Sequence, residues 1–210
     1  MPLKSDRRPG RHTTSGQSLT ELALIVPILL TLVVLVADFG RVFAASLSME
    51  AATRNAAEAM TNAYLAGPPG PLDRPAPAGV ESYYRPLHTL AVRTICNEMS
   101  DLANTAFDAA TSTCAGMPLI RACIHDGQDT LCASEAEGAA IPAQCNDLNA
   151  PMTNANGAAG SPRWAEVRVC YRFSPILADM PFLSFATIWL ERERSFTIPC
   201  YFALGTSECG

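Results

Sequence analysis

The apolar run Leu22–Ala37 fixes what the first part of this chain can become: twelve of its sixteen residues are Leu, Ile or Val, and none is charged. Each such side chain favours insertion into lipid by roughly 0.3–0.6 kcal/mol, whereas one acid at mid-helix opposes it by about 2.5–3.5 kcal/mol. At ~1.5 Å per residue, Gln17–Ala37 reaches about 30 Å, the depth of a bilayer's hydrocarbon core. One helix is therefore predicted to cross once, with Glu21 at its mouth. Pro27 removes one backbone donor and is expected to bend the helix or loosen one turn. A carboxylate placed like Glu21 either rests at headgroup depth or neutralises a specific cation when helices pack together.

Before the run, residues 1–16 carry Lys4, Arg7, Arg8 and Arg11 together with Pro2, Pro9 and Gly10, a composition suited to a leader and not to a packed unit. This positive leader, and the lack of basic clusters beyond Arg41, orient the helix with its N-terminus in the cytoplasm. Asp38 and Arg41, three apart on one helix face, mark the far membrane boundary. Glu21 is the fifth residue after Gly16. That pairing resembles the processing site of type IV prepilins and pseudopilins, which implies cleavage after Gly16 by a prepilin peptidase and Gln17 as the new N-terminus. An α-amine with a pKa near ~8 would carry charge beside the membrane, and a carboxylate one helical turn away can offset it within the chain or on a neighbour.

The longer stretch Gly16–Ala57 resembles the N-terminal module of TadE-like proteins, minor pseudopilins of the tight-adherence (Tad) pilus. The resemblance rests on the Gly16/Glu21 pair, Pro27 within the run, the Asp38-Phe39-Gly40-Arg41 exit, and an Ala/Asn/Arg-rich continuation ending near Glu58. It implies a structural subunit in a Tad-type pilus used for surface adherence, not an enzyme, with Glu21 serving subunit assembly. Implied partners are other pilins and pseudopilins through the N-terminal helix, the prepilin peptidase, and the Tad inner-membrane assembly platform. The implied location is the inner or cytoplasmic membrane, with everything after Asp38 outside the cytoplasm.

At 210 residues and 49% hydrophobic content, the chain has room for one membrane helix and one further domain. The expected division is a leader 1–16, a membrane helix and amphipathic stem 17–66, a Pro/Gly-rich linker 67–87, and an extracytoplasmic domain 88–210. The formal charge of −5 and a single lysine argue against a nucleic-acid surface. All eight cysteines (Cys96, Cys114, Cys123, Cys132, Cys145, Cys170, Cys200, Cys209) lie beyond the membrane segment, where disulfides persist. Eight cysteines allow on the order of a hundred connectivities, so spacing alone does not settle them. A short Cys123–Cys132 link and a Cys170–Cys200 link are the expected pairs.

Beyond the boundary, Val42, Phe43, Leu47, Ala51 and Ala57 are read as one side of a stem running to Tyr64, with Ser46, Glu50, Arg54 and Glu58 on another. His88–Ala110 places Val92, Ile95, Met99, Leu102, Ala106 and Phe107 at helical spacing, with Cys96 on the buried side. Pro118–Ile124 and Thr130–Ala133 form a hairpin, and Ala139–Ser161 is loop. Trp164–Phe173 alternates as a strand with Glu166, Arg168, Cys170 and Arg172 on a wet, charged face. Pro175–Phe185 suggests a short helix or turn, and Ala186–Phe202 returns to strand. The expected fold class is α+β: a long N-terminal membrane-spanning helix, then a small disulfide-braced extracytoplasmic domain with an antiparallel sheet.

Catalysis has little to work with: His12 lies in the leader, His88 at a helix start and His125 in a turn, so no catalytic residue is assigned. Cys123 and His125 with nearby cysteines lack paired zinc-ligand spacing, Asp126 and Asp129 lack the oxygen density of a calcium loop, and no metal or cofactor is assigned. Two rival readings remain open. One is an uncleaved, single-pass anchored binding or scaffold domain that never enters a filament; the other is secretion with cleavage after Ala44. The mature N-terminus, Gln17, Met1 or Ala45, separates all three.

Overall fold

A computed structural model describes residues 15–66, 77–103, 105–111, 113–114, 116–125, 130–134, 141–150, 163–176 and 187–198. The leader up to residue 14, the first part of the linker, residues 151–162 and 177–186, and both Cys200 and Cys209 lie outside them.

One helix dominates. α1 (Ser15–Ala66) runs 52 residues through Pro27 without a break. Thr31 donates its hydroxyl to the Pro27 carbonyl at 2.8 Å, so the turn beside the proline is tied by a side chain. The first half of α1 stands clear of the other described elements: Leu24, Ile28, Val33 and Val36 are each more than three-fifths exposed. The second half is seated by Ala45, Met49, Ala52, Ala56, Ala57 and Met60, all fully buried. Of the side read as Val42, Phe43, Leu47, Ala51 and Ala57, Ala57 is buried and Val42 packs on the core. Phe43 and Leu47 stay more than half exposed, and the stripe chosen for burial is the one whose small side chains let another backbone come close.

α2 (Pro77–Glu98) lies against this alanine stripe. It starts inside the stretch read as linker and stops before the expected Ala110, which places His88 mid-helix. Pro77 suits a first helical turn, where its missing N–H has no partner to lose. Pro86 sits inside the helix, and burial of Tyr84, Leu87, Ala91 and Ile95 against α1 outweighs its cost. The two helices are antiparallel: the Tyr64 and Tyr84 rings stack 6.3 Å apart at one end, and Asn55 donates to both Glu98 carboxylate oxygens, at 2.9 and 3.1 Å, nearer the other.

After α2 the chain makes the two-residue strands β1 (Phe107–Asp108) and β2 (Thr113–Cys114), not more helix. Gly116, at φ 89°, takes a backbone shape that a side chain would disfavour and turns the chain toward β3. An antiparallel sheet of order β4-β3-β5-β6 follows, built from β3 (Leu119–His125), β4 (Thr130–Ser134), β5 (Trp164–Phe173) and β6 (Ile188–Thr197). The hairpin and both late strands are where the alternation put them. One sheet face, with Ile120, Ile124, Val167, Val169 and Tyr171, packs on the helices to make the main core. The fold is α+β with a long apolar N-terminal helix, an antiparallel sheet and three disulfides.

The opposite face departs from expectation. Glu166 is 1% exposed, Arg168 5% and Cys170 0%, so the face read as wet is covered as far as Cys170, while Arg172 stays exposed as expected. A 3₁₀ segment, Ala143–Asn149, inside the stretch read as loop, brings Cys145 and Leu148 down onto Cys170, Leu119 and Trp189. Cys145 bonds Cys170, which replaces the expected Cys170–Cys200 pairing. Cys123 and Cys132 pair across the hairpin as expected, at register-opposed positions. Cys96 of α2 is joined to Cys114 of β2.

Candidate functional site

Three regions bear on function: the free half of α1, the seat that holds its other half, and the covered sheet face. In the first, Glu21 lies on the exposed surface of α1 within its second turn from Ser15. From Leu22 to Val36 that surface is apolar on all sides, and its most apolar window has a mean hydropathy of 2.7. A helix hydrophobic all round is stable in water only when something surrounds it. By length and composition it fits a membrane anchor.

The seat begins at the boundary pair. Asp38 is only 6% exposed, and its Oδ1 accepts from Arg41 Nη1 at 3.0 Å and from the backbone N–H of Ile176 at 3.0 Å. The Arg41 guanidinium lies over the Phe173 ring, 5.2 Å from its centroid. These two residues thus dock the end of β5 onto α1, a role that spacing alone did not reveal because Ile176 is 138 positions away. Two turns further on, Glu50 pairs with Arg194 and, at 3.7 Å, with Arg192, while Arg192 Nη2 donates to Ser46 at 2.6 Å. The part of the polar side of the stem that carries Ser46 and Glu50 is therefore where β6 attaches.

On the covered sheet face, Arg168 contacts Glu166 at 2.9 Å and Glu193 at 3.2 Å, and its Nη1 donates to the carbonyls of Asp147 and Ala150 at 2.7 and 2.8 Å. Arg121, its cross-strand neighbour, donates to the carbonyls of Leu148 and Ala150. Two guanidinium groups side by side thus gather the C-terminal carbonyls of the 3₁₀ segment, which need donors. Burial first, and the like charge of Arg168 second, lower the Arg121 pKa. A cavity of about 190 Å³ opens beside this cluster, lined by Asp147, Arg168, Glu191 and Glu193 among others.

Burial, then the charge of Asp147 and a hydrogen bond to it, raise the Glu191 carboxyl above its ordinary value. A carboxyl held high in the fold stabilises it fully below the unfolded value, and that contribution is lost as pH rises through the folded value. Glu191→Gln is therefore expected to melt like the parent chain in acid and above it near neutrality, the gap opening as pH rises past the ordinary carboxylate range. Thermal melts from pH 4 to 7.5 read this, and a pH-independent gap sinks it. Cys145, Cys170 and Glu191 lie close enough to hold a metal, but the two sulfurs are bonded to each other and offer no thiolate. His125, at the end of β3, is 1% exposed, and its Nδ1 is 2.9 Å from the Thr130 hydroxyl.

A long helix with an exposed apolar first half, continuing into the spine of a disulfide-braced domain, fits the class of single-helix membrane-anchored proteins. Residues 16–58, the N-terminal fifth of the chain, match the family model described as TadE-like protein. The match ends on α1, before α2 and the sheet. No curated protein and no solved structure matches the chain.

Proposed function

We propose that this chain is a structural minor pseudopilin of a Tad-type pilus, cut after Gly16 and held by α1 in the inner or cytoplasmic membrane with the sheet domain outside. The carrying observation is the division of α1: its second half is clamped by the chain's own domain, whereas the half headed by Glu21 has an apolar surface left for lipid or other helices. In this reading other pilins and pseudopilins pack along residues 19–36, and the Tad assembly platform draws the subunit from the membrane during assembly or its initiation. The prepilin peptidase exposes the Gln17 amine, and Glu21, about 6 Å along the axis, meets that amine or a neighbour's.

A charged pair in so apolar a setting is worth most when broken by removing one partner. Glu21→Ala is expected to lower incorporation into pili by about tenfold or more, with Glu21→Gln intermediate, while leaving membrane insertion intact. Quantitative immunoblotting of sheared pili against membrane fractions measures it. Intact mass of the membrane-extracted chain is expected to begin at Gln17; a chain beginning at Met1 in cells that still assemble pili overturns the reading in favour of an uncut anchored domain.

A further inference from the structure

A second cavity, about 200 Å³, lies at the end of the sheet domain nearest the apolar run, lined by Arg41, Ala44, Asp101, Leu102, Tyr171 and Phe173. We propose that it binds the headgroup of a phospholipid bearing a primary amine, with the phosphate at Arg41 and the ammonium at Asp101. The proposal rests on α1 spanning the membrane, whichever way it points.

Position is the first argument. Arg41 and Ala44 follow the last residue of the uncharged run, Ala37, by four and seven positions, so they stand about 6–10 Å beyond the hydrocarbon edge. The headgroup layer of a bilayer leaflet is about 5–8 Å deep. The domain is clamped here through Asp38, Ile176 and Phe173, so the cavity is held at that depth by the fold.

Charge is the second. The cavity wall carries one cation and one anion, both on exposed residues, a pattern that complements a zwitterion better than an anionic or a cationic ligand. Arg41 uses Nη1 on Asp38, and its side chain is still 45% exposed, which leaves further N–H groups of the guanidinium fork for a phosphate. A carboxylate accepts N–H bonds from a primary ammonium, and a quaternary one offers none. The volume far exceeds the ~10–15 Å³ that one water requires, and the acyl chains would lie along Leu30 and Val33, which share the helix side of Arg41 and Ala44 and are each at least three-fifths exposed.

The test uses the full chain reconstituted in bilayers of equal phosphatidylethanolamine, phosphatidylcholine and phosphatidylglycerol, with retained lipid read by native mass spectrometry. Phosphatidylethanolamine is expected to be retained over each of the others by about tenfold, and O-phosphoethanolamine to displace it. Asp101→Asn, at an exposed loop position, is expected to erase the preference over phosphatidylcholine and to raise phosphatidylglycerol, whereas Arg41→Gln lowers all three. Equal retention of the three lipids, an Asp101→Asn chain with its preference intact, or occupation of the cavity by a second copy of the chain overturns the proposal. Alkaline extraction is the separating control. Release of the chain overturns the membrane reading together with this site; retention without lipid preference overturns the site alone.

Discussion

Replacing Arg168 by leucine is expected to destabilise the sheet domain by about 3–5 kcal/mol, the scale for breaking one side of a buried ion pair. The arginine side chain is 6% exposed and that of its partner Glu166 1%, so the carboxylate left behind cannot regain water without opening the sheet. Two carbonyls of the 3₁₀ segment, Asp147 and Ala150, lose a donor as well. Glu166→Leu combined with Arg168→Leu is expected to recover part of the loss and not all of it, because Arg121 still reaches Ala150 but nothing replaces the bond to Asp147. Urea unfolding of the detergent-solubilised chain, followed by the fluorescence of Trp164 on β5 and Trp189 on β6, gives both values. A single-variant loss under about 1 kcal/mol is the surface-pair result and would mean that this face opens to water in solution.

The second large effect belongs to the Cys145–Cys170 bridge. With both cysteines changed to serine, the chain-entropy relation gives a loss of about 3.5 kcal/mol for its separation of 25 residues, against about 2.6 kcal/mol for the nine-residue Cys123–Cys132 link. The difference is expected to be larger in practice. Both sulfurs of the longer bridge are fully buried in a small apolar cluster with Leu148, and two serine hydroxyls there need partners. The Cys123–Cys132 pair only reinforces a hairpin whose register is already fixed by backbone bonding. Limited proteolysis adds a local readout: cleavage within 141–150 is expected to accelerate only in the Cys145/Cys170 variant. Equal melting temperatures for the two double-serine variants would show that the 3₁₀ segment is held by its arginines alone.

What the sequence announced and what it hid follow from the range of the interactions involved. The apolar helix, the β3–β4 hairpin and the strand β5 are written in local patterns, and each appears where it was expected. The side of the stem was read only in part: Val42 packs on the core and Ala57 is buried, but Phe43 and Leu47, which outweigh alanine on any hydrophobicity scale, stay exposed. Close packing of α2 instead selects Ala45, Ala52 and Ala56, where small size matters more than apolar area. Glu166 and Arg168 read as solvated for a similar reason: the segment that covers them, Ala143–Asn149, is short, carries little helical periodicity, and is positioned by a bridge that spacing could not assign. Glu50 and Asp38 look like ordinary surface charges until β6 and Ile176 arrive from more than a hundred residues away. Among the site residues, the docking role of Asp38 and Arg41 was not legible, because its partners lie far along the chain, whereas the role proposed for Glu21 rests on its distance from Gly16 alone.

Because α1 passes from the apolar run into the core of the sheet domain without a hinge, the two move as one lever. From Ala37 to Ala66 the rod extends about 43 Å, so an inclination of about 20°, ordinary for a single span, carries its far end sideways by about 15 Å. With α1 in a bilayer as proposed, a change in bilayer thickness, or a torque from a neighbouring helix on residues 19–36, would be converted into lateral displacement of the surface that α2 and the sheet present.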